Sequence, residues 1–96
     1  MVFRWGTSRP KSLHWRDIAQ ILIKLCAIHV GDHGDHKKYK RQGENGKWYV
    51  ITLPTYSDIS GGLLDSIIRQ TGVSKKIFWN VYFENPSKNE TVIETK

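Results

Sequence analysis

Apolar side chains recur at three- and four-residue intervals from Trp15, through Ile18, Ile21 and Leu22, to Leu25, while Arg16, Asp17, Gln20 and Lys24 fall on the opposite side. That spacing predicts a one-sided amphipathic helix over Leu13 to Leu25, with the Ser12 hydroxyl placed to take a first-turn amide. Ala27 to Val30 is short and branched enough for a first strand, which Gly31 and Asp32 would break. His36 to Gln42 reads as a second strand, with His36, Lys38 and Lys40 on one face and Lys37, Tyr39 and Arg41 on the other. Gly43-Glu44-Asn45-Gly46 predicts a hairpin, because Asn-Gly tolerates the positive backbone angles of tight turns. Lys47 to Leu53 follows as a third strand, with Tyr49, Ile51 and Leu53 on one face and Trp48, Val50 and Thr52 on the other, and Pro54 ends it.

Beyond a loop at Asp58 to Gly62, Leu63, Leu64, Ile67 and Ile68 form the apolar stripe of a second helix, and Gly72 stands where a helix C-terminal glycine belongs. Lys75 to Tyr82 fits a short helix capped by Ser74, while Ile77 to Phe83 equally fits a strand. The order is helix, three strands, helix, which specifies an α+β fold. A three-stranded antiparallel sheet of this kind carries its helices on one face and leaves the other to solvent or a ligand. This α-β-β-β-α arrangement is the double-stranded-RNA-binding-domain type of sandwich. A chain of 96 residues builds one domain. We divide 1–96 into an N-terminal arm (1–11), a core (12–83) and a flexible tail (84–96).

Charge adds a partner class. Fifteen Lys and Arg against nine Asp and Glu leave a net charge of +6, which favours a polyanion, most simply RNA or DNA, although many small soluble proteins are basic without such a partner. The single cysteine, Cys26, excludes an intramolecular disulfide and a cysteine-based zinc site, and its apolar neighbours suggest a small buried hydrophobe. No stretch reaches the ~20 apolar residues of a membrane span. Met1 to Pro10 lacks the apolar centre of a signal peptide, so a reducing, cytoplasmic setting is expected.

The chemistry concentrates in Gly31-Asp32-His33-Gly34-Asp35-His36-Lys37-Lys38-Tyr39-Lys40-Arg41. Histidine both takes and gives a proton near neutrality, and the adjacent cations supply the field that holds a phosphodiester. His33, Asp35 and His36, with His29 upstream, also invite a metal reading, since imidazole and carboxylate suit zinc. The spacing matches no familiar zinc site, however, and four adjacent cations oppose binding, so we expect neither metal nor cofactor. Trp15 reads as core. Trp48 and Tyr39 are either core or stacking partners for an unpaired base, with core favoured for Trp48.

Three segments carry a family likeness across Trp15 to Phe78. Gly34-Asp35-His36-Lys37-Lys38-Tyr39 is similar to a Gly-Ser-His followed three residues on by an aromatic; Val50-Ile51-Thr52-Leu53-Pro54 is similar to a strand ending in proline; Gly62 to Ser74 follows a second helix closed by Gly-hydrophobic-Ser. Together and in order, they resemble the HicA toxins, small bacterial RNA-cleaving proteins. The resemblance implies a catalytic histidine at His36, metal-independent endonuclease action on messenger RNA, and a HicB-type antitoxin partner. Asp35 stands where the family has serine, replacing a hydroxyl with a carboxylate that opposes phosphate, and the Gly-Phe pair expected after the first helix is absent.

In that role His36 is the general base on a ribose 2′-hydroxyl, with Lys37, Lys38, Lys40 and Arg41 binding RNA phosphates. His33 or His29 is the acid, and the sequence does not choose between them. Asp35 either supports a neighbouring histidine or, like Asp32, is a turn residue. Two rival functions remain: a non-catalytic RNA-binding module of the same fold, and an interaction module docking an acidic protein.

Overall fold

The computed structural model describes residues 9–84. The elements run β1 (Ser12–Leu13), α1 (Trp15–Lys24), β2 (Ile28–His33), β3 (His36–Gln42), β4 (Trp48–Pro54), β5 (Ile59–Ser60), α2 (Gly61–Thr71) and α3 (Lys75–Glu84). Strands β2, β3 and β4 form an antiparallel sheet in that order, and β1 pairs with β5 in a separate two-stranded ribbon. The expected α+β sandwich is present, with the helices gathered over one face of the sheet. Most of the arm and nearly all of the tail lie outside the described residues.

The core shows why the helices chose that face. Tyr39 of β3 and Ile51 and Leu53 of β4 are buried, together with Ile18 and Leu22 of α1, Leu64, Ile67 and Ile68 of α2, and Phe78 of α3. Alternation puts Tyr39, Ile51 and Leu53 on one side of the sheet. Removing their apolar area from water is the main force that seats the helices there. Burial also pushes the Tyr39 phenol above its ordinary pKa. On α2, the Gln70 side-chain oxygen accepts from the Thr52 amide at 2.8 Å, closing part of the β4 edge that would otherwise be open to another strand.

Three local expectations change, and one open choice between helix and strand is settled. Helix α1 starts at Trp15, capped by His14, whose Nδ1 accepts from the Arg16 amide at 3.1 Å; Ser12 instead pairs with Ser60 in the ribbon. The first strand does not break at Gly31-Asp32. It continues to His33 through a bulge between His29 and Gly31, which absorbs the extra residue without ending the ladder. Lys75 to Glu84 is helical, with the Ser74 hydroxyl accepting from the Ile77 amide. Ser74 is a good N-cap, and that local bond decides an apolar run that fits either period.

Cys26 is exposed rather than buried, and lies at φ 69° just beyond α1. A side chain in that left-handed region carries a steric cost, which glycine avoids. Gly72 meets the same demand at the end of α2, with φ 79°. There a Cβ would also stand 2.6 Å from the Tyr49 ring. Cys26→Gly is therefore expected to stabilise the fold by roughly 1 kcal/mol. Gly72→Ala should destabilise it by about 1–2 kcal/mol through strain and overpacking. Urea unfolding of both variants checks the opposite signs.

Candidate active site

The β2–β3 hairpin builds the site. Gly34 and Asp35 form its two-residue turn, with Gly34 at φ 65°, an angle glycine adopts without strain. The tightness of the turn makes His33 and His36 direct cross-strand partners. Facing residues of an antiparallel pair project to the same side, with Cβ atoms ~5 Å apart. The Asp35 carbonyl accepts from both the amide and the hydroxyl of Thr55 at 2.9 Å, tying the turn to the segment after β4. The same segment brings the Tyr56 ring edge-on to His36, with centroids 6.3 Å apart. Neither Thr55 nor Tyr56 was a sequence candidate; Pro54, which turns the chain at the end of β4, was the available signal.

His36, Lys38 and Lys40 lie on the open face, away from the helices. Lys38 Nζ donates to the Thr52 hydroxyl at 3.0 Å, and Lys40 Nζ sits 4.7 Å from the centre of the Trp48 ring. Trp48 is 50% exposed rather than core. The other candidate cations face the helices. Lys37 Nζ is 3.3 Å from Asp32 and 5.5 Å from the Trp15 ring centre. Arg41 Nε donates to the Leu25 carbonyl at 3.2 Å and its Nη1 to the Thr71 carbonyl at 2.8 Å. Its guanidinium thus completes the C-terminal ends of α1 and α2.

His29 also separates from His36. It pairs across the sheet with Tyr39, on the helix side, and its Nε2 donates to Asp32 at 2.8 Å. That hydrogen bond, with Lys37 second, holds the Asp32 carboxyl below its ordinary pKa. Asp32 is therefore an ion-pair residue on the sheet edge. Asp35 lies exposed in the turn and positions its neighbour through its backbone.

Among the described residues, no group of three or more His, Cys, Asp and Glu is gathered closely enough to hold a metal ion. Among the described residues, surface clefts lie between the β3–β4 hairpin and the α2–α3 turn, beside Trp79 and beside Asp65, and these are not lined by His33, His36, Lys38 or Lys40. With His33 exposed and His36 half-buried on the sheet face away from the helices, the histidine pair suits a polymer lying across it better than a small enclosed substrate. No helix among the described residues is long and apolar enough to cross a membrane.

The family model for the HicA toxin of bacterial toxin-antitoxin systems matches residues 15–73, more than half of the chain and all of the main sheet. The chain belongs to the HicA toxin family. No curated protein and no solved structure matches it at a significant level. The family match covers α1 through α2, so the histidine hairpin and the Gly72 turn both lie inside the shared domain, whereas α3 lies beyond it. Membership of the HicA family makes this chain one half of a toxin–antitoxin pair.

Proposed function

We propose that this HicA-family toxin is a metal-independent endoribonuclease that cleaves messenger RNA on the open face of its sheet. The observation that carries the reading is the pairing of His33 with His36 across the hairpin, on the face that also presents Lys38 and Lys40. Neutral His36 takes the proton of a ribose 2′-hydroxyl, whose oxygen forms a bond to the adjacent phosphorus. Protonated His33 gives its proton to the 5′-oxygen as the phosphorus–oxygen bond breaks. The products are a 2′,3′-cyclic phosphate and a 5′-hydroxyl. Lys38 and Lys40 offset the charge that grows on the phosphoryl oxygens. Of the two acids left open by the sequence, His33 is the better placed, because His29 faces the helices and is held by Asp32.

His36 lies within the matched region, and the family match supports the proposal of an RNA cleaver that acts in the cytoplasm and is held by an antitoxin of the HicB type. The deciding experiment incubates the purified protein with a long single-stranded RNA in excess chelator, beside His36→Ala. Cleavage by the parent that disappears in the variant is expected. Intact RNA in both, with a salt-sensitive gel shift retained, would leave a non-catalytic RNA-binding module in its place.

A further inference from the structure

The open face extends well beyond the histidines. Trp48 pairs with Gln42 at the far end of β3, six residues from His36, and so lies about 20 Å from it at the usual strand rise. Ile28, Val30 and Val50 between them are all at least half exposed. Ile28, Lys40 and Val50 are neighbours across the three strands, and the bulge at Val30 and Gly31 places both against Lys38. None of the strand positions on this face carries a carboxylate. The face is therefore apolar at its centre, cationic along β3 and aromatic at its end.

We propose that this face is a track for single-stranded RNA, with Trp48 as a subsite that stacks a base several nucleotides from the scissile bond. The proposal rests on the ribonuclease reading and adds a second binding point, remote from the scissile bond. Exposed sheet faces with an aromatic ring take unpaired bases by stacking, and alternating lysines hold the intervening phosphates. Duplex RNA would keep its bases stacked on each other and leave Trp48 without a partner. The Lys40 ammonium now over the ring makes only an exposed cation–π contact, a weaker interaction than a stacked base, and it can move outward to a phosphate.

Fluorescence anisotropy with labelled single-stranded RNA tests this, using the full chain with His36→Ala to prevent cleavage. Adding Trp48→Ala should weaken binding roughly tenfold, and Trp48→Phe should restore most of it, since either aromatic ring stacks. In the cleaving parent, Trp48→Ala should raise KM for long RNA and leave a dinucleotide substrate unaffected. Unchanged affinity in Trp48→Ala, with His36-dependent cleavage intact, overturns the track while the ribonuclease stands. Absence of both RNA binding and cleavage in the parent overturns the track together with the ribonuclease reading.

Discussion

His36→Ala should lower the rate of RNA cleavage by ~10²–10⁴-fold, the usual worth of a positioned general base. The fold should be unaffected within about 0.5 kcal/mol, because His36 stands outside the core, its ring edge-on to Tyr56. Rate loss and unfolding energy, measured on one preparation, separate chemistry from collapse. His33→Ala should cost cleavage as well, but with a distinguishing signature. A ribonucleotide carrying a phenolate-type leaving group needs no proton on departure, so His33→Ala should cleave it at near the parental rate while His36→Ala remains slow. Equal losses on both substrates would remove His33 from the acid role. A metal-requiring reaction would instead be recognised by loss of parental cleavage in chelator.

Arg41→Ala is expected to destabilise the protein by about 2–4 kcal/mol, the scale for two charge-assisted hydrogen bonds lost from part-buried carbonyls. The guanidinium fork reaches Leu25 and Thr71 together, joining the ends of two helices that are distant in sequence. Arg41→Lys should recover little, since one ammonium cannot reproduce that fork. Urea unfolding reads the loss, and RNA affinity at low salt should change far less than stability. A variant that folds as stably as the parent but binds RNA poorly would return Arg41 to the phosphate-binding set. Lysine-to-glutamine changes at Lys38 and Lys40 provide the opposite pattern, weakening RNA binding without a comparable stability loss.

Much of this architecture is written locally. The 3.6-residue spacing of Trp15 to Leu25, the period-two alternation of Lys47 to Leu53 and the glycine at position 72 each report a backbone preference that needs no distant contact. His36 is recognisable because its glycine, its cations and the aromatic at Tyr39 fall at fixed spacing in one short segment. The errors have a common cause. Gly31 and Asp32 look like strand breakers, yet pairing with Lys38 and Lys37 holds them in β2. Ser12 looks like a cap, yet its pairing with Ser60 competes and His14 takes the capping role. Cys26 looks buried among apolar neighbours, yet it falls at the turn that ends α1, where the chain reverses at the surface.

Sequence by itself determined the two main helices and the three strands of the main sheet, the two-faced character of β3 and β4, and the candidacy of His36. It did so because strand alternation and helix periodicity are properties of adjacent residues. Tertiary structure decided which sheet face the helices cover, and with it that Lys37 and Arg41 lie on the helix side while Lys38, Lys40 and Trp48 lie on the other. It also decided that His33, not His29, shares a face with His36, since that depends on cross-strand register and on a bulge two residues long. Which surfaces pair is a contest of buried area and satisfied hydrogen bonds over the whole chain, and no local window contains both sides of it.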